Sequence, residues 1–264
     1  MLKRIWLTPA SISGLLLVYG GLYIWRPGGS EVLLVLTHIS FAVFACLATL
    51  LALRASRLFE PGIAARRVWL FFGAGMTVLA VSESLWIYYY FSGQPAAYPS
   101  PVDVSWAIGF IPILASLVLQ YRALDVRVSL RRKLTVLAVY LGGLALILIV
   151  LLGYILSNPG NAAVMQLLTI AYYLVGDFGV AYIATLSLLY MGQGLVSRPW
   201  QYMVVSILLF AVAGLAFSYG VWTGAYVTGS NLLSGIVDAA YLSGYMMAAA
   251  GGYRQITLSL PTIH

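Results

Sequence analysis

Tyr98-Pro-Ser-Pro-Val-Asp103-Val-Ser-Trp106-Ala-Ile-Gly109-Phe110 opens an apolar run that closes at Tyr121-Arg122. Ser234-Gly-Ile-Val-Asp238-Ala-Ala-Tyr241-Leu-Ser-Gly244-Tyr245 opens another, which closes at Tyr253-Arg254. Each has Asp, an aromatic three residues on, Gly six on and an aromatic seven on. In a helix those offsets lie at roughly 0°, 300°, 240° and 340°, on one face. Each stretch therefore reads as a membrane helix with an acid at its mouth, flanked by aromatics and a small residue.

Composition agrees. The 264 residues are 62% hydrophobic and 8% charged, where soluble domains carry about 25% charged residues. No water-soluble fold hides that much apolar surface, so the class is integral membrane protein. The net charge of +7 is not a nucleic-acid signal, because the basic residues sit between apolar runs and set orientation. The one cysteine, Cys46, lies inside an apolar run and forms no internal disulfide. Lys3-Arg4 followed by an apolar run resembles a signal peptide, but no small-x-small cleavage site follows, so a retained first helix is expected.

A span needs about 20 residues. Eight segments qualify: Pro9 to Trp25 with Thr8 as N-cap, Val32 to Leu53, Val68 to Phe91, Val102 to Leu124, Leu134 to Leu156, Val164 to Met191, Trp200 to Trp222, and Leu232 to Tyr253. The fold expected is an all-α polytopic bundle of eight transmembrane helices forming one domain over residues 1–264. Short loops rich in turn formers make sequence neighbours antiparallel neighbours in space. With the N-terminus inside, thirteen of the fourteen basic residues fall on the cytoplasmic side and only Arg26 falls outside. That agrees with the positive-inside rule, with both termini cytoplasmic and the inner membrane as location.

The halves look duplicated. Trp69 to Gly93 aligns with Trp200 to Gly224 at an offset of 131, the Asp motifs follow at 135 and the Tyr-Arg pairs at 132. Two parallel four-helix repeats, about 5–124 and 134–254, are expected, related by an axis along the membrane normal.

At these motifs the sequence resembles the N-terminal multi-helix membrane sensor domain of bacterial diguanylate cyclases and histidine kinases. In that family a Tyr-Pro-Ser-x-x-Asp segment opens one helix, an Ala-Tyr-Pro-x-x-Asp-like segment lies in a later one, and Asp-x-x-Trp/Tyr-x-x-Gly-Tyr opens the last. Here these match Tyr98 to Asp103, Ala171-Tyr-Tyr-Leu-Val-Gly-Asp177, and Asp238 to Tyr245. The resemblance implies sensing, with a cytoplasmic signalling domain or partner protein as output. The sequence runs only to His264, so the expectation is either a sensor cut from a longer protein or a free-standing relative.

Glu83, Asp177 and Asp238 lie within spans, Asp103 at an outer interface, and no Lys or Arg is deep in any span. A charge at mid-bilayer costs at least about 2.5–3.5 kcal/mol. These acids are therefore protonated, hydrogen-bonded inside the bundle, or bound to a cation or water. At about 1.5 Å per residue, Glu83, His38 and Asp238 lie about 12, 10 and 9 Å below the outer surface, and Asp177 near the middle. The site expected is an outward-facing pocket lined by His38, Glu83, Asp103 and Asp238, with Asp177 deeper. Its walls are Trp86, Tyr88, Tyr89, Trp106, Tyr219, Trp222 and Tyr241. Acids with aromatics suit a small cationic or amphipathic ligand or an ion. The plainer alternative is that each carboxyl ties helices together, that Asp103 and Asp238 cap their own helices, and that the aromatics form an interfacial belt.

No metal site is expected, because no ligand pair has i, i+4 spacing. The cofactor stays unassigned. A haem between two histidines is excluded, since only His38 is in a span, and so is a retinal Schiff base, which needs an intramembrane Lys. Leu174-Val-Gly-Asp177 is similar to the Gly-x-Gly-Asp of intramembrane aspartyl proteases. It has Leu174 at the first Gly and no partner Asp at matching depth, so no catalytic residue and no enzyme is expected. The functional expectation is a membrane sensor or receptor-like module. The alternatives are a small proton-coupled secondary transporter, or an accessory subunit of a membrane complex.

Overall fold

The computed structural model describes residues 9–93, 100–123, 129–157, 161–191, 196–227 and 229–259. Thr8, Lys3, Arg4, Tyr98, Arg127, His264 and the Trp222 side chain lie outside the described residues. The described chain is helical: α1 Pro9–Trp25, α2 Gly29–Ser56, α3 Ala64–Ser92, α4 Pro101–Ala123, α5 Leu130–Ser157, α6 Asn161–Tyr190, α7 Arg198–Thr223 and α8 Leu232–Ser259. Seven helices, α2 to α8, are long and apolar enough to cross a bilayer. The described part of α1 has 17 residues, or about 26 Å, short of the roughly 30 Å hydrocarbon core. Of the eight spans expected, seven are long and apolar enough among the described residues.

Several helices outrun the apolar stretches that marked them. α2 continues through Arg54 to Ser56, α5 begins at Leu130 before Arg131, and α8 passes Arg254 to Ser259. Hydropathy marks the part a membrane can cover. A charged residue beyond that edge is solvated and has no reason to stop the helix.

Six helices close a ring. α2 packs on α3, α3 on α4, α4 on α6, α6 on α7, α7 on α8, and α8 returns to α2. α1 lies outside against α8, and α5 outside against α6. Lipid offers no hydrophobic drive between helices, so close approach depends on small residues. On α2, Ala45, Ala48, Ala52 and Ala55 are fully buried at 3-4-3 spacing, and on α8 so are Ala248, Ala249 and Ala250. A Cβ on Gly252 would lie 2.8 Å from the backbone carbon of Leu51. α3 meets α4 the same way, since a Cβ on Gly75 would come within 3.0 Å of the Gly109 carbonyl oxygen.

The middle of the ring is aromatic. Tyr241 contacts the rings of Phe41, Trp106, Phe210 and Phe217, with centroids 5.4–6.5 Å apart. Tyr245 sits edge-on to Phe210 at 4.8 Å. At the end where α3 and α7 begin, Trp69 and Trp200 meet at 5.2 Å. α3 and α7 both stop at a left-handed glycine, Gly93 (φ 65°) and Gly224 (φ 68°). Their N–H groups donate to the carbonyls of Tyr90 and Val221, satisfying carbonyls that the last helical turn leaves free.

Candidate functional site

The polar groups collect toward the end of the ring where α8 begins. His38 of α2 stacks on Trp86 of α3 (5.3 Å between centroids, 18° between planes) and meets Phe41 edge-on at 5.9 Å. This fixes the imidazole with Nδ1 3.8 Å from Glu83 Oε2. That separation is too long for a hydrogen bond, and Nδ1 is buried with no hydrogen-bond partner. The other oxygen of Glu83, Oε1, accepts from the Tyr245 hydroxyl of α8 at 2.8 Å. Glu83 is 2% exposed and Tyr245 fully buried. One carboxyl therefore joins α2, α3 and α8 away from solvent.

Asp238 makes the second junction. Tyr23 of α1 donates to Oδ2, and Tyr226 of the α7–α8 connection donates to Oδ1 at 2.6 Å. The Tyr23 oxygen in turn accepts from the Gly229 N–H at 3.1 Å. The ring of Tyr23 fits because Gly235 has no side chain, where a Cβ would lie 2.8 Å from Tyr23 Cδ1. Tyr19, one turn back, shares a 2.9 Å hydrogen bond with Thr37 of α2. The α8 cap comes from Asn231, whose Oδ1 accepts from the Ser234 N–H and hydroxyl, both at 2.9 Å. Asp238 is thus free of capping and bonded across helices. It lies within electrostatic range of both His38 and Glu83.

Asp103 behaves differently. Its Oδ2 accepts from the Ser100 N–H (2.6 Å) and hydroxyl (2.7 Å), while Ser100 Oγ accepts from the Asp103 N–H at 3.3 Å. This reciprocal cap satisfies donors at the start of α4. The link from Asp103 to the bundle runs through its backbone carbonyl, which accepts from Tyr173 of α6 at 2.5 Å.

Asp177 stands apart, near the middle of α6. It is 2% exposed, and Oδ2 has no hydrogen-bond partner. Its carboxyl lies against Gly214 of α7, where a Cβ would fall 2.4 Å from Oδ2 and 3.1 Å from Oδ1. Tyr241, at the centre of the ring, lies within electrostatic range of Asp177, Glu83 and Asp238.

The expected pocket takes a different form here. His38, Glu83 and Asp238 do converge, but Glu83 and Asp238 are closed from the surface, and Asp103 is engaged at its own helix start. Tyr88 and Tyr219 are 61% and 57% exposed, and Trp86 39%, so these rings face outward and do not wall an inner chamber. Trp106 and Tyr241 do line the ring interior. A shallow surface recess with room for little more than one water lies beside His38, bounded by Leu34, Val35, Ile39, Ile87, Tyr90 and Phe91. Its walls are apolar or aromatic, and Ile39, Tyr90 and Phe91 are themselves exposed.

Sequence reasoning missed Tyr23, Tyr226, Thr37 and Gly214, and it carried Tyr245 only as a motif position. Tyr245 shares the helix face of Asp238 and Tyr241, which was the available signal. Tyr23 looked like any interfacial aromatic, and Tyr226 like a loop residue. Among the described residues, no three His, Cys, Asp or Glu side chains gather closely enough to hold a metal ion.

No family model, no curated protein and no solved structure matches the chain. What the fold and composition define is a class: a multi-pass helical membrane protein with carboxyl groups inside its bundle.

Proposed function

We propose that the chain is a membrane sensor or receptor-like module, its acid layer on the outer side of the inner membrane and both termini cytoplasmic. The observation that carries this reading is the His38–Glu83–Tyr245 junction. A histidine with a spare ring nitrogen and a buried carboxyl group bring α2, α3 and α8 together at one cluster. Binding of a proton, an ion or a small cationic or amphipathic ligand there changes the charge that three helices share. α8 runs from that junction to the basic end, where a cytoplasmic signalling domain or partner would read the shift. The resemblance at Tyr98 to Asp103 and Asp238 to Tyr245 supports the same assignment. The matched glycine caps of α3 and α7 and the Trp69–Trp200 contact support an origin by duplication.

Thermal-shift screening of cations, amines and lipids tests the reading. A ligand should raise the melting temperature of the wild type, and the shift should shrink in Glu83→Gln and in Tyr245→Phe. Equal shifts in all three proteins, or none in any, overturn it. A second reading, proton-coupled transport, is favoured by the unpartnered Asp177 carboxyl at mid-helix. It requires proton-driven uptake in proteoliposomes that Asp177→Asn abolishes.

A further inference from the structure

Asp177 is anomalous beside the other acids. Glu83, Asp103 and Asp238 each have hydrogen-bond donors on their oxygens, whereas Asp177 Oδ2 is buried and has none. α6 packs on α4, α5 and α7, whose basic residues Arg122, Arg131, Arg132, Lys133 and Arg198 lie at helix ends, and among the described residues none forms an ion pair with Asp177. The titratable groups facing this region are phenols. Tyr173 of α6 donates to the Asp103 carbonyl, Tyr140 of α5 is bonded to Thr185, and Tyr241 of α8 lies at the ring centre. Asp103 at the start of α4 is held by Ser100, and Glu83 and Asp238 lie within electrostatic range of Tyr241. Arg198 of α7 sits in that helix's first turn, far along the axis from Gly214, and Tyr219 is turned outward.

We propose that Asp177 is a proton-binding site, and that release of its proton opens the seam between α6 and α7 at Gly214. The carboxyl occupies the space a side chain on Gly214 would fill, so as a neutral acid it closes the seam by van der Waals contact. The proton leaves to water, and the carboxylate left behind needs hydration that the closed seam does not provide. Water enters there only if α6 and α7 separate. A sodium ion is a poorer occupant, because the carboxyl lies against Gly214 and among the described residues no group of three His, Cys, Asp or Glu gathers there, where a hard cation takes several oxygens. This holds under either function above, and its failure leaves the Glu83 test untouched.

Infrared difference spectra in nanodiscs across a pH titration test it, with thiol labelling of Ala181→Cys, on α6 one turn from Asp177, in a Cys46→Ser background. The expected result is a carbonyl band of an unbonded carboxylic acid that disappears as pH rises. Asp177→Asn should remove it, Asp177→Glu should move it and Glu83→Gln should keep it. Labelling by a water-soluble reagent should rise several-fold as the band fades, beyond the rise seen in Asp177→Asn. A band that survives Asp177→Asn or ignores Asp177→Glu overturns the proposal. So does a band that responds to sodium replacing choline at fixed pH, or equal labelling with and without the Asp177 carboxyl.

Discussion

The openings of α4 and α8 carry the same sequence pattern and do different work. At α4 the Asp103 carboxyl closes on Ser100 three residues back and stays within its own first turn. At α8 the cap falls to Asn231, seven residues before Asp238. Asp238 is therefore one turn further inside the helix than its counterpart, where no backbone donor is free. Its two oxygens take phenol donors from α1 and from the α7–α8 connection instead. A shift of one turn in where a helix starts converts a capping residue into a clamp between segments. Motif identity alone does not reveal which role an acid has. The position of the nearest cap does.

Five substitutions sharpen or break that contrast. Asp238→Ala removes the carboxyl that accepts from the buried Tyr23 and the half-buried Tyr226 and should cost about 3 kcal/mol, read by denaturation in detergent. A loss no larger than that of Asp103→Ala would erase the distinction. Next come the motif glycines. A Cβ on Gly244 meets the rigid ring of Phe210 at 2.7 Å, while one on Gly109 meets the flexible end of Leu79 at 2.9 Å. Gly244→Ala should therefore cost about 2 kcal/mol, and Gly109→Ala under about 1 kcal/mol; melting curves that reverse this order would show that Phe210 yields more readily than Leu79. Asp103→Ala removes a cap and should cost about 1 kcal/mol, with the loss confined to amide exchange in the first turn of α4. Tyr173→Phe should be mildest, about 0.6 kcal/mol, since the Asp103 carbonyl it contacts belongs to the helix ladder.

The helices themselves were legible. Long apolar runs separated by Pro and Gly marked the eight helices, and Gly93 and Gly224 marked where α3 and α7 stop, while the charged ends of α2, α5 and α8 were drawn too short. The meeting of His38 with Glu83 was also within reach, because counting residues from the helix ends put both at similar depth. The closure of the site was not. It depends on Tyr23 and Tyr226 reaching Asp238 across 215 and 12 positions of chain, and nothing local in an apolar sequence marks a tyrosine as a donor to one particular acid. Gly214 was invisible for a similar reason. Its role lies in the side chain it lacks, and that matters only once α6 is laid against α7.

The α2–α8 seam has one more consequence. Around Gly252 a bare Cα faces Leu51 and Ala52, and that stretch holds two rods together without deciding their axial register. Register falls to the other end, where Phe41 of α2 lodges against the rings of Tyr241 and Tyr245, and where bonds from Tyr245 and Asp238 tie α8 to α3, α1 and the α7–α8 connection. Remove that ring and those bonds, and α8 would keep its partner while gaining freedom to glide along it.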